Sequence, residues 1–163
     1  MAAARAATAK HRRPARELAA GSTARDWLGR FGGADAMRFD LRADLEMAQI
    51  VEGGLPTQAV DFAVKSGILE QEDVYHFVVT KRTLQRRRDA KRLSVEESDK
   101  LTRLVRMIAR AEAALGDPAK AERWVREPNR ALEGRRPLDL LSSDVGARAV
   151  EKVLGRIEHG IYS

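Results

Sequence analysis

A chain of 163 residues with a formal net charge of +6 has room for one domain or two small ones, since domains usually run to about 100 to 200 residues. The absence of cysteine excludes disulfide frameworks, thiolate catalysis and cysteine-ligated zinc. The three histidines are too widely spaced to show a metal-ligand pattern. Only 5% of the residues are aromatic and no apolar run approaches the about 18 residues of a membrane span, so we expect a soluble, cytoplasmic, helical protein without membrane contact.

Positive charge is concentrated in two blocks. Residues 1–30 carry +5 and residues 81–92 carry +6, which leaves the rest of the chain at −5. Such clustering is typical of a protein that binds a polyanion, although one charged run alone is as often a solvated helix face. The first block is rich in Ala and Arg, and we predict that residues 1–40 form a flexible basic arm. Its composition also resembles an organelle transit peptide.

From residue 41 the apolar spacing becomes helical. Two helices that stop at glycines are predicted to bury these residues: Leu45, Ala48 and Val51 before Gly53, and Val60, Ala63 and Val64 before Gly67.

Two short predicted helices, over residues 70–78 and 81–90, are joined by a tight turn, and Thr80 can cap the second. The second helix carries most of the local charge, as in a helix-turn-helix unit, although the turn lacks a glycine. With Leu84 turned inward, Arg and Gln side chains point outward and can read base edges or grip phosphates. The predicted DNA-binding residues are Thr80, Lys81, Arg82, Thr83, Gln85, Arg86, Arg87 and Lys91, with Arg88 and Arg92 as further phosphate contacts. The alternative is a surface helix with many arginines.

Further helices follow this unit. Ser94 and Glu97 form a capping box that opens a long helix, which ends at Gly116. The next helix starts at residues 117 and 118 and is expected to bury Trp124 and Val125. Leu138, Leu140 and Leu141 then lie on one helical turn after Pro137, and Ser142 or Ser143 caps a final helix that ends near Gly160.

The final helix has two contrasting faces. With Leu154 inward, its apolar side is predicted to hold Val150, Val153, Ile157 and Ile161, while its opposite side holds Arg148, Lys152, Arg156 and His159. That basic side could meet an acidic partner, or it could be a solvated face on which Glu151 and Glu158 pair with Arg148 and Lys152. The last residues, 160–163, form a short end that can enter a pocket.

Catalysis has little support in the sequence. The glycines do not have the pattern of a phosphate-binding loop, and no serine or threonine has a His and an Asp placed to form a catalytic triad. We interpret His76 as a packed or surface residue. We therefore expect no enzymatic activity, no cofactor and no metal.

Two stretches resemble the Xre/MbcA/ParS antitoxins. TKRTLQRRR (residues 80–88), with RLSVEESDKLTRLVRMIARAEAALGD after it, is similar to their helix-turn-helix part. PNRALEGRRPLDLLSSDVGARAVEKVLGRIEHGIYS (residues 128–163) is similar to the toxin-binding domain with which they end. The resemblance covers roughly residues 44 to 163 and implies an all-α fold: a helix-turn-helix bundle over residues 41–100 and a small helical toxin-binding domain over residues 101–163.

The resemblance also implies a function. Such a type II antitoxin neutralises a RES-domain toxin, which consumes NAD or ADP-ribosylates a cellular enzyme, by covering its active site, and it represses its own operon at operator DNA. The implied toxin-contacting residues are Arg156, Glu158, His159, Gly160 and Tyr162, with Arg148 and Lys152 as neighbours. A homodimer within the larger toxin–antitoxin complex is expected because operators are usually palindromic.

Two alternatives remain open from the sequence. The chain could be a stand-alone transcription regulator whose carboxy-terminal domain binds a ligand or forms oligomers. It could also be a pure inhibitor whose helix-turn-helix only packs and dimerises.

Overall fold

The computed structural model describes residues 41–160, whose regular elements are helices, as predicted, with two isolated β-bridges. Its elements in chain order are α1 (Leu41–Glu52), α2 (Gln58–Lys65), α3 (Gln71–Asp73), a π-helical turn (Val74–Val78), α4 (Lys81–Ala90), α5 (Val95–Leu115), α6 (Pro118–Arg126), a 3₁₀ turn (Arg130–Leu132), α7 (Pro137–Leu140) and α8 (Asp144–Glu158). No helix in this range is long and apolar enough to cross a membrane. The predicted basic arm, Ile161 and Tyr162 lie outside the described residues.

Helix α5 lies at the centre of the fold. It packs against α1, the π-helical turn, α6 and α8, and its buried side chains include Leu101, Leu104, Val105 and Ile108. One continuous cluster of buried apolar residues runs from α1 to α8. The predicted domain boundary between residues 100 and 101 therefore falls inside one helix that is shared by both parts.

The predicted amino-terminal caps of α4, α5, α6 and α8 are confirmed. The Thr80 hydroxyl accepts a hydrogen bond from the amide of Thr83, Ser94 and Glu97 form the capping box of α5, and Ser143 caps α8. At α6, the amides of Lys120 and Ala119 donate to the carboxylate of Asp117 and hold its pKa below the ordinary value against the opposing effect of desolvation.

The predicted buried face of α1 is wrong for Leu45 and Ala48, although Val51 does pack partly against the core. Leu45 is 57% exposed and Ala48 is also exposed, whereas Met47 is buried and Ile50 and Val51 pack partly against the core. Residues 47, 50 and 51 share one face at intervals of three and four, and this is the face that α1 turns toward the core. The apolar spacing fitted both faces, and packing against α5 selects between them.

The helix predicted over residues 70–78 is present, but its second half widens into the π-helical turn, in which the amide of Val79 donates to the carbonyl of Val74 at 2.9 Å. Both Val74 and Val78 are buried there.

The two residues that α6 was predicted to bury differ in exposure. Trp124 is only half-buried, whereas Val125 is buried as predicted.

The α7–α8 corner depends on Gly146. Leu138, Leu140 and Leu141 are buried on α7 and directly after it, and the amide of Gly146 donates to the hydroxyl of Ser143. A Cβ at Gly146 would overlap the backbone carbonyl of Leu140. The absence of a side chain at this position allows the start of α8 to lie directly against α7.

We therefore expect Gly146→Ala to lower the free energy of unfolding by about 1 to 3 kcal/mol, the usual cost of overpacking. Gly155→Ala is the control, because its Cβ would lie 3.8 Å from Arg110 Nη2, an ordinary contact distance, and alanine favours a helix interior by up to about 1 kcal/mol. Chemical denaturation measures both changes. Equal stability of the two variants would contradict the close approach at Gly146.

Candidate functional site

Helix α4 is anchored on one side and exposed on the other. Its single buried residue is Leu84, which is 2% exposed, and the buried Val79 lies just before its first turn. The helix ends at Lys91, whose backbone is left-handed with φ of 58°. These contacts fix the helix by one apolar side and leave its other sides accessible.

The outward side of α4 is the one that the helical projection predicted. Arg82, Gln85, Arg86 and Asp89 are exposed together with Lys81. Thr83 and Arg87 lie half-buried on the flank. The structure thus presents two arginines and one glutamine, side chains that can hydrogen-bond to guanine and adenine edges, on a single helix face.

Three arginines that are predicted to contact DNA phosphates have hydrogen-bond partners within the chain. Arg87 Nε lies 2.7 Å from Glu97 Oε2 on α5, and Arg88 Nη2 lies 2.7 Å from Asp61 Oδ1 on α2. Arg92 Nη1 donates to the carbonyls of residues 53 and 54 at 2.8 and 2.7 Å. These bonds tie α4 and the residues after it to their neighbours, so part of the charge block orients α4.

Glu97 has a double role. It completes the capping box with Ser94 and also receives the guanidinium of Arg87. Burial by itself raises the pKa of the Glu97 carboxyl, but the hydrogen bonds from Arg87 and the Ser94 amide outweigh it and hold that pKa below the ordinary value. The ionised form of Glu97 therefore stabilises the contact between α4 and α5.

The final helix α8 has the two predicted faces. Val150, Val153 and Leu154 are buried and Ile157 is half-buried. The exposed residues of the opposite side are Val145, Arg148, Lys152, Arg156 and His159.

The exposed side of α8 is held by bonds within the helix itself. Arg148 Nη1 lies 3.1 Å from Asp144 Oδ2. His159 Nδ1 lies 2.7 Å from the carbonyl of Gly155, and because a carbonyl only accepts, Nδ1 is the donor. The imidazole is thus fixed against the last turn of α8.

The alternative pairing of Glu151 and Glu158 with Arg148 and Lys152 is wrong. Both carboxylates face Arg110 of α5, at 3.5 Å for Glu151 and 3.4 Å for Glu158. The two acidic residues lie on the flank of α8 that meets α5, whereas Arg148 and Lys152 point away. That Glu158 contacts a toxin stays a prediction.

A partly buried ion pair, not predicted from the sequence, joins α6 to α3. Arg126 Nη2 and Nη1 lie 2.7 and 3.2 Å from the two carboxylate oxygens of Asp73, which is buried and also accepts from the amide of Glu70. Desolvation alone lowers the pKa of Arg126, but the hydrogen bonds and negative charge of Asp73 raise it overall. Partners 53 residues apart give no local signal in a sequence.

A cleft of about 470 Å³ lies beside this ion pair. Tyr75, His76 and Phe77 line it from the π-helical turn, and Arg136 and Leu138 line it from the other side. His76 is exposed and meets the ring of Phe77 edge-on at 4.6 Å. The surface alternative for His76 is the one that the structure shows.

Two family models match this chain. Residues 46–106 match the antitoxin Xre-like helix-turn-helix domain, a range that includes α4. Residues 110–160 match the antitoxin Xre/MbcA/ParS carboxy-terminal toxin-binding domain, a range that includes α8. The exposed helix of each part therefore falls within a recognised domain.

Three bacterial proteins named Antitoxin Xre are similar to this chain. The protein of Pseudomonas putida is 30% identical over 124 residues, which cover 74% of this chain and 76% of the relative. The protein of Photorhabdus laumondii is 32% identical over 117 residues, 70% of this chain and 79% of the relative. The protein of Yersinia enterocolitica is 38% identical over 87 residues, 52% of this chain and 59% of the relative.

Glu97→Gln should make the protein less sensitive to acid. Because the folded-state pKa of Glu97 is lowered, the unfolded chain binds more protons, and the stability that Glu97 provides is lost as the pH falls below about 4. We expect the variant to be less stable than the unmodified chain by on the order of 1 kcal/mol at pH 7 and the gap to close in acid.

The control for this substitution is Glu96→Gln, since Glu96 is a neighbouring carboxylate in an exposed pair with Lys100. Denaturant titrations from pH 7 to pH 3 measure both variants. A gap for Glu97→Gln that stays constant over this range would contradict the assigned role of its charge.

Proposed function

The chain belongs to the Xre/MbcA/ParS family of antitoxins, and on that premise we propose that it is a type II antitoxin that binds operator DNA through α4 and a cognate toxin through α8. The observation that carries this proposal is the presence of two separate exposed helices, one in each matched domain. Each is buried along one side and presents basic residues on the other. Two partners can therefore be bound by different surfaces.

In the DNA complex, the exposed face of α4 enters the major groove. Arg82, Gln85 and Arg86 contact base edges, since Arg matches guanine and Gln matches adenine. The residues at the rim of this face, Thr80, Lys81, Thr83 and Lys91, contact phosphates and set the register. Arg87 contributes only through the guanidinium nitrogens that Glu97 leaves available.

Binding by a homodimer at a palindromic operator would give repression of the chain's own operon. The domain division that we propose places this activity in residues 41–100. It places the toxin-binding activity in residues 101–163, with α5 extending into both.

In the toxin complex, the exposed side of α8 meets an acidic surface beside the toxin's active-site cleft. Arg148, Lys152 and Arg156 supply the positive charge, and His159, Gly160 and Tyr162 lie where the chain would enter the cleft. We propose that the partner is a RES-domain toxin that consumes NAD or ADP-ribosylates a protein. We also propose that the two proteins meet in the cytoplasm, where the toxin's substrate and the operator are found. Inhibition by occupying a cleft requires no reaction from the antitoxin.

The DNA-binding proposal predicts that replacing Arg82 and Arg86 with Ala weakens operator binding at least tenfold, because each base contact contributes about 1 to 3 kcal/mol. The matched control is the replacement of Arg130 and Arg135, two exposed arginines outside α4, which removes equal charge. Fluorescence anisotropy at several salt concentrations measures affinity and the number of phosphate contacts. An equal loss of operator affinity in both double variants would indicate nonspecific electrostatic attraction. It would contradict the proposal that α4 contacts base edges.

The toxin-binding proposal predicts that a chain lacking residues 160–163 no longer protects cells from its toxin. The deletion leaves all of α8 in place, so operator binding and the thermal unfolding midpoint should stay unchanged. Growth of cells that co-express the toxin measures protection. Full protection by the shortened chain would show that its end does not block the cleft.

A further inference from the structure

We infer that Arg110 is a positioning residue of the toxin-binding surface: from α5 it holds the last two turns of α8 through the carboxylates of Glu151 and Glu158. This inference rests on the proposed function. It adds a residue that lies outside the exposed side of α8, and it gives Glu158 a role other than contact with a toxin.

The geometry brings one guanidinium between two acidic side chains. Arg110 Nη1 lies 3.5 Å from Glu151 Oε1, and Arg110 Nη2 lies 3.4 Å from Glu158 Oε2. The two acidic residues are seven positions apart, which is two helical turns and therefore the same face of α8. The Arg110 side chain is only 19% exposed, so solvent screens these pairs less than it screens a fully exposed pair.

Gly155 gives the guanidinium its place between the carboxylates. It lies on the same face, between Glu151 and Glu158, and a Cβ there would be 3.8 Å from Arg110 Nη2. A methyl group would only touch Arg110, whereas a longer side chain would compete with it for the same space. The sequence spacing of Glu151, Gly155 and Glu158 thus matches a single arginine that crosses from α5.

The held segment carries the proposed toxin contacts. Arg156 and His159 belong to the same last turn as Glu158, and the His159 ring is bonded to the carbonyl of Gly155. The ends of helices open more easily than their interiors. The ion pair between Arg110 and Glu158 therefore preorganises Arg156 and His159 in the free protein. This lowers the conformational entropy that is lost when the toxin binds.

Arg110 also affects the charge of the surface. Its guanidinium draws two negative side chains to the α5 side of the helix, away from Arg148, Lys152 and Arg156. The outward side of α8 then presents mainly positive charge to an acidic partner. Loss of Arg110 would both loosen the helix end and release two carboxylates toward the toxin.

The test uses the full chain with Arg110→Ala, and with Arg103→Ala as the control, since Arg103 lies on the same helix and pairs with the exposed Asp99 one turn away. We expect Arg110→Ala to weaken toxin binding about five- to tenfold. It should speed hydrogen exchange of the amides of residues 155–160 and leave operator binding unchanged. The control should match the unmodified chain in all three measurements.

A double-mutant cycle separates positioning from direct contact. If Glu158 acts through Arg110, Glu158→Gln added to Arg110→Ala causes little further loss of toxin affinity. Fully additive losses would show that Glu158 contacts the toxin itself, and unchanged exchange at residues 155–160 in Arg110→Ala would overturn the positioning role. An unmodified chain that fails to bind the toxin would refute the proposed function instead, while the exchange measurement, which needs no toxin, still tests Arg110.

Discussion

Burial of the apolar face of α5 is the interaction on which the other helices depend. Leu101, Leu104 and Val105 are essentially inaccessible, and the helix contacts elements from both matched domains. The same helix orients both exposed helices through charged residues. Glu97 near its start holds Arg87 of α4, and Arg110 farther along holds α8. One rigid helix thus positions both exposed helices. Glu97 and Arg110, which make these ion pairs, lie about 20 Å apart along the axis of α5 at 1.5 Å per residue.

This arrangement explains why the arginine-rich block is more than a charged surface. Arg82 and Arg86 are exposed, whereas Arg87, Arg88 and Arg92 bind groups on α5, α2 and the turn after α1. Anchoring some arginines fixes the direction in which the others point. A preorganised face loses less side-chain entropy on binding than a set of free side chains would.

The sequence predicted those features that depend on local chemistry. Thr80, Ser94, Asp117 and Ser143 cap helices because their side chains reach amides two or three residues ahead. Leu84 is the inward residue of α4 because it is the only large apolar residue of that helix. Pairs that are distant in the chain were not predictable. The Asp73–Arg126 and Arg110–Glu158 contacts and the outward turn of Leu45 are decided by tertiary packing, for which one sequence carries no periodic signal.

We propose that this chain inhibits an enzyme by occupying its cleft. This is tested by following NAD consumption or protein ADP-ribosylation by the proposed RES-domain toxin while the purified chain is added. We expect the toxin's activity to fall to background at a fixed molar ratio of the two proteins. Undiminished activity at a large excess of the folded chain would contradict it.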